Sequence, residues 1–221
     1  MTLLYLVSMV KLIIFDLDGT LIDSAQDITN AINYSIKDTG LPFLNNEQTI
    51  QLVGEGISRL IEKLLPPAFL EHRDEILSRF LEYYSSHLVD NTKPYPFVKD
   101  TLDNLKTFTK AVISNKRECL SKEILQRLDL LEYFDTVLGG DSTEERKPSP
   151  VPIVYLLNKL SISPEMTVMA GDSNIDIKAA INAGIRSIGV TYGYKPEESL
   201  KDADFLIDDI RKLEYVVHKL L

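Results

Sequence analysis

Four short stretches of the sequence carry side chains that could act together. Asp16-Leu17-Asp18-Gly19-Thr20-Leu21 closes an apolar run. Residues two apart in an extended chain point the same way, so both carboxylates can face one end of a strand while Leu17 turns into a core. Taken alone, the segment also reads as an Asp-Gly turn. Ser114-Asn115-Lys116 ends a second apolar run with a hydroxyl, an amide and an ammonium; alone, it also reads as a helix N-cap. Lys147 heads Lys147-Pro148-Ser149-Pro150, whose prolines restrict the chain and could preorganise the ammonium, although a loop lysine is ordinarily just solvated. Asp172 and Asp176 flank the junction of an apolar run and a helical pattern, and the first helical turn can bring Asp176 alongside Asp172. One of the two carboxylates could serve as an N-cap or dipole charge. Capping and turn chemistry do not account for all four stretches at once. Together they suit a site where carboxylates and a cation reverse the local sign of charge for an anionic substrate.

The elements that must position these groups are legible from apolar patterning. Short runs at Val10–Phe15, Ala111–Ile113, Thr136–Leu138, Thr167–Ala170, Ser187–Val190 and Phe205–Ile207 predict strands of a parallel sheet covered on both faces. Helical stripes lie between them, among them Val98, Leu102, Leu105 and Phe108; Leu120, Ile124, Leu125 and Leu128; and Ile177, Ala180 and Ile181. The fold class is α/β, a doubly wound, mostly parallel sheet with helices on both faces, whose ligands bind beyond the carboxyl ends of the strands. The interval between the first two strands is far longer than one crossover helix needs. It has no convincing strand over residues 22–92 and at least three helical stripes, the first opened by Ser24-Ala25-Gln26-Asp27 read as a capping box. A small all-helical cap over residues 22–92, inserted into a core of residues 1–21 and 93–221, follows from this reading.

Composition excludes several classes. With 24 basic and 33 acidic residues the net charge is −9, the wrong sign for a general nucleic-acid binder. Cys119 is the one cysteine, so neither an internal disulfide nor a cysteine metal cluster can form, and a cytoplasmic location is expected. No apolar run reaches the roughly 18 residues of a membrane span. The greasy N-terminus lacks a basic region and a small-residue cleavage site, so residues 1–8 are read as an extension or a mis-assigned start rather than a signal peptide. The oligomeric state is not readable.

In chain order, Asp16-Leu17-Asp18-Gly19-Thr20, Ser114, Lys147 and Gly171-Asp172-Ser173-x-x-Asp176 match the four motifs of the haloacid dehalogenase superfamily, which the chain resembles over its whole length. Within it, Gly54-Glu55-Gly56 with Arg59, Thr92-Lys93-Pro94-Tyr95-Pro96, Ser114-Asn115-Lys116 and Lys147-Pro148-Ser149-Pro150 most resemble the bacterial phosphoglycolate phosphatases. The resemblance implies hydrolysis of a small phosphate monoester, with 2-phosphoglycolate the leading candidate, through an aspartyl-phosphate. Asp16 would be the nucleophile and Asp18 the general acid and base. Lys147 would screen charge, and Ser114 and Asn115 would hydrogen-bond the transferring oxygens. Mg²⁺ would be held by Asp16, Asp172 and the backbone carbonyl of Asp18, a hard-oxygen set, with Asp176 holding a metal-bound water or Lys147. His72, His87 and His218 are scattered, which argues against zinc. Thr20 matches the phosphatase form of the first motif and is expected at the substrate. In the cap, Gly54 would offer backbone to an anion and Arg59 would pair a carboxylate. A phosphatase for pyrophosphate, a nucleotide or a sugar phosphate remains open. So does a receiver-like phospho-acceptor switch, although Asp18 and a cap are superfluous to a switch.

Overall fold

The computed structural model describes residues 10–220; the reading of residues 1–8 as an extension lies outside them. In chain order the strands are β1 (Leu12–Phe15), β2 (Ile22–Asp23), β3 (Lys93–Pro94), β4 (Thr109–Ile113), β5 (Thr136–Leu138), β6 (Thr167–Gly171), β7 (Arg186–Val190) and β8 (Phe205–Ile207). The helices are α1 (Ala25–Ile36), α2 (Asn46–Leu52), α3 (Ile57–Leu64), α4 (Arg73–Ser86), α5 (Val98–Asn104), α6 (Glu118–Arg127), α7 (Val151–Leu160), α8 (Asn174–Ala183) and α9 (Lys212–Lys219). Six strands form one sheet in the order β5-β4-β1-β6-β7-β8, with every neighbouring pair parallel.

Alternation along each strand divides the core in two. Ile13, Phe15, Val112, Val168 and Ala170 join α5, α6 and α9 in one apolar layer. Leu12, Ile14, Ala111, Ile113 and Met169 join α7 and α8 in the other. Because both faces are covered, the strands read as unbroken apolar runs. Ile181 departs from its expected stripe: α8 buries Ile177, Ala179 and Ala180 and leaves Ile181 exposed.

Register fixes the site. Phe15 pairs with Val112 on one side and Ala170 on the other. Asp16 therefore stands level with Ile113 and Gly171, and its amide donates to the Ala170 carbonyl (2.9 Å). Ser114 and Asp172 lie one residue further on. The chain leaves β1 toward β4 and β5 and later returns to β6 on the opposite side, so β1 marks the switch point where α/β sheets bind ligands.

The segment between β2 and β3 contains α1 to α4 and forms the helical cap, with α1 against α4 burying Ile28, Ile32, Ile76 and Phe80. Two features depart from expectation. Ile22–Asp23 is a strand after all, paired antiparallel with Lys93–Pro94; two residues are too few to show alternation. α2 was absent from the helical stripes, yet it is opened by reciprocal bonds between Asn45 and Gln48.

The expected capping box at the start of α1 does not form. The Ser24 hydroxyl donates instead to Asp18 Oδ1 (2.5 Å). The Asp27 carboxylate accepts from both the backbone and the side chain of Asn91 and of Thr92. Asp27 thus ties the first helix of the cap to the segment that returns to the core. Long-range partners here outcompete a local cap. Among the described residues, no helix is long and apolar enough to cross a membrane.

Candidate active site

The loop after β1 aims the two aspartates. The Leu17 carbonyl accepts from the amides of Thr20, Leu21 and Ile22, and the Gly19 amide donates to the Ile22 carbonyl. Gly19 has φ +83°, and a Cβ there would collide with the Asp172 carboxylate. The first motif and the strand end after β6 are therefore in direct contact.

Lys147 lies at the centre of the acidic cluster. Its Nζ donates to Asp16 Oδ1 (2.8 Å) and Asp176 Oδ1 (2.6 Å), and its side chain is 1% exposed. Asp176 Oδ2 accepts from the Ser173 amide (3.1 Å) and hydroxyl (2.6 Å), so Asp176 both caps α8 and grips Lys147. Asp172 accepts from the Tyr194 amide (2.8 Å). Carboxylate oxygens of Asp16, Asp172 and Asp176 all lie within 4.8 Å of one another.

Charge is concentrated here beyond what one lysine offsets. Burial and the neighbouring Asp176 push the Asp16 carboxyl up to about 7, against the pull of Lys147. Burial, Asp176 and Asp16 hold Asp172 well above the carboxylate range. Burial alone would lower Lys147; Asp16 and Asp176 outweigh it and raise it above an ordinary lysine. Oxygen donors in a buried cluster short of positive charge fit a hard divalent cation. Asp16, Asp172 and Asp176 are the side chains close enough to hold one.

Asp18 is tied down separately. Its Oδ1 accepts from Ser24 and from Lys116 Nζ (2.6 Å), and Lys116 Nζ also donates to Tyr84 Oη (2.8 Å) on α4. Burial, partly countered by Lys116, pushes the Tyr84 phenol up to about 12. The Tyr194 hydroxyl accepts from the Ser24 amide (2.7 Å).

Above these groups is a partly open cavity between core and cap. Asp16, Asp18, Ser114, Asn115, Asp172 and Gly54 all reach its wall. Three expected residues have surroundings that do not suit their expected roles. Arg59 is away from the wall, its side chain 53% exposed and paired with Glu62 (2.9 Å) and Glu55 (3.6 Å). Lys63 takes the other Glu55 oxygen, so Arg59 and its neighbouring lysine are both paired within the cap. Asn115 lines the wall, but its amide donates to the Gly54 and Lys147 carbonyls (2.9 Å each). It ties cap to core, and its side-chain amide has no donor left for a phosphoryl oxygen. Thr20 is fully buried away from the wall, and its hydroxyl has no partner among the described residues. His72 and His218 are exposed, His87 is half-buried, and all three lie outside the cluster.

Ser24, Tyr84, Lys116 and Tyr194 complete the site. Lys116 carried a signal, since it follows Ser114-Asn115 at a strand end. Tyr84 carried none, because a tyrosine on an apolar helical stripe reads as packing.

The haloacid dehalogenase-like hydrolase pattern matches residues 13–190, and the chain belongs to that family. It is 42% identical over 186 residues to a phosphoglycolate phosphatase of Aquifex aeolicus, covering 83% of this chain and 86% of that one. A phosphoglycolate phosphatase of Vibrio parahaemolyticus is 38% identical over 221 residues, with 94% and 96% covered. Among solved structures, a predicted phosphoglycolate phosphatase from Haemophilus somnus superposes with a TM-score of 0.88 at 32% identity, covering 94% of this chain and 97% of that one.

Proposed function

We propose that this protein is a Mg²⁺-dependent phosphatase that hydrolyses 2-phosphoglycolate to glycolate and phosphate through a phosphoryl group carried on Asp16. The observation that carries this reading is the convergence of Asp16, Asp172 and Asp176 around Lys147 on the floor of a capped cavity. The names of relatives with up to 42% identity support the substrate. The cap comprises residues 22–92 and the core residues 1–21 and 93–221. The enzyme acts in the cytoplasm, where the free thiol of Cys119 stays reduced.

Phosphate monoesters are among the slowest substrates to hydrolyse unaided, so the site must supply a very large barrier reduction. Asp16, Asp172 and the Asp18 carbonyl would hold Mg²⁺, with Asp176 steadying Lys147 beside them. When bound, the ion would supply positive charge between nucleophile and phosphoryl group. An Asp16 oxygen forms a bond to phosphorus as the ester bond breaks, and the electron pair leaves on the glycolate oxygen. Asp18 gives that oxygen a proton, then takes one from the water that cleaves the aspartyl-phosphate. Lys147 and Ser114 meet phosphoryl oxygens, where charge is spread in the transition state. Asn115 and Gly54 hold the cap down, excluding bulk water.

Steady-state phosphate release with Mg²⁺ tests this on a panel of 2-phosphoglycolate, pyrophosphate, nucleoside monophosphates and sugar phosphates. Many turnovers per site with 2-phosphoglycolate as the preferred substrate is the expected result. Preference for another member would replace the substrate. A single burst without turnover would replace the enzyme with a phospho-acceptor switch.

A further inference from the structure

If the substrate carries a carboxylate, something in the cavity must pair with it. The neighbouring walls are Ile28, Val53, Ile57, Leu60, Phe80 and Leu120, and an unpaired anion against such a surface is costly. Arg59 is engaged elsewhere. The cationic side chains that do line the cavity are Lys116, Arg117 and Lys195. Lys195 donates to the carbonyls of Ile50 (2.5 Å) and Gln51 (3.1 Å) near the end of α2. Arg117 is exposed.

Lys195 also keeps one donor, but of these cations only Lys116 is hydrogen-bonded to Asp18. The Lys116 side chain is 9% exposed, and its ammonium is held by Asp18 Oδ1 and Tyr84 Oη. An ammonium has three donors, and these two bonds use two of them. We propose that Lys116 is the specificity-determining residue, binding the carboxylate of 2-phosphoglycolate in place of Arg59. This rests on the phosphatase reading above. In that substrate the carboxylate carbon is two bonds from the ester oxygen, and Asp18 serves the ester oxygen. A cation hydrogen-bonded to Asp18 is therefore at the distance where the carboxylate must end. A charge on the outer rim suits a longer substrate. Tyr84 belongs to the cap, so the carboxylate subsite is complete only when cap and core are together.

The test compares 2-phosphoglycolate with ethyl phosphate, an ester with the same two-carbon chain and no carboxylate. The readout is the ratio of the two kcat/KM values, which cancels any effect of Lys116 on Asp18 that both esters share. The wild-type ratio reads the proposed substrate: a value near one sinks that reading and this inference with it. Given a wild-type preference, Lys116→Met and Lys116→Gln should each lower the ratio by about tenfold or more, as expected for losing a charge-assisted hydrogen bond. Lys116→Arg should keep more of the ratio than either, because it keeps the charge. An unchanged ratio in a folded Met or Gln variant, with both esters slowed equally, would assign Lys116 to Asp18 alone and overturn the proposal while leaving the phosphatase reading standing. If neither neutral variant folds, Tyr84→Phe takes their place, with a several-fold fall in the ratio expected and an unchanged ratio overturning the proposal.

Discussion

Asp27→Ala should loosen the joint between cap and core. The carboxylate is 1% exposed and takes hydrogen bonds from Asn91 N (2.9 Å), Asn91 Nδ2 (2.7 Å), Thr92 N (2.8 Å) and Thr92 Oγ1 (2.7 Å). Asn91 is exposed and can turn to water. Thr92 is 5% exposed, so its amide and hydroxyl are left stranded. At about 1–3 kcal/mol per unsatisfied buried group, the loss is about 2–6 kcal/mol. For a chain of this size that corresponds to roughly 4–24 °C in Tm. The pH dependence is a second handle. Burial opposes ionisation of Asp27, but the bonds from Asn91 and Thr92 outweigh it and hold the carboxyl below its ordinary value. A group depressed on folding contributes stability above its unfolded pKa, about 3.9, and loses it as pH falls through the folded value. Urea unfolding of wild type and variant should therefore give a constant gap from pH 8 to 5 that narrows below about pH 4. A gap under about 0.5 kcal/mol at pH 7, or one of unchanged width at pH 3.5, would refute the reasoning.

Arg59→Ala should change KM for 2-phosphoglycolate by less than about twofold, because its partners are Glu55 and Glu62 rather than the cavity; steady-state kinetics checks this, and a tenfold rise would return Arg59 to the site. Gly19→Ala should abolish activity in a protein that still binds substrate weakly, since both the positive φ and the contact with Asp172 forbid a Cβ; activity above about a tenth of wild type would contradict it. Lys147→Met removes the cation shared by Asp16 and Asp176. Breaking such a buried pair costs about 3–5 kcal/mol, and added Mg²⁺ should restore more Tm in the variant than it adds to wild type, as measured by thermal unfolding with and without EDTA.

The sheet was legible because a covered parallel strand has a simple signature, a short β-branched run, and the motifs of Asp16, Ser114 and Asp172 directly follow one, while Lys147 lies in the loop between β5 and α7. Asp16, Lys147, Asp172 and Asp176 could be gathered from sequence because parallel strands bring their carboxyl ends to one edge. Contacts between distant segments were not legible. Ser24 and Asp27 fit a local capping pattern, yet Asp18, Asn91 and Thr92 claim them. Arg59 is occupied by Glu62, three residues on along α3, and by Glu55, four residues back and just before the helix. Asn115 had the right chemistry for a phosphoryl oxygen, but its donors are used by two carbonyls supplied by remote parts of the chain.

The central claim is that Asp16 accepts the phosphoryl group. Rapid acid quenching of the Mg²⁺-loaded protein during turnover of 2-phosphoglycolate, followed by peptide mass spectrometry, reads this directly. A phosphoryl adduct on the peptide bearing Asp16, absent in Asp16→Asn, is the predicted result. Full turnover with no adduct, or an adduct on another residue, would contradict it.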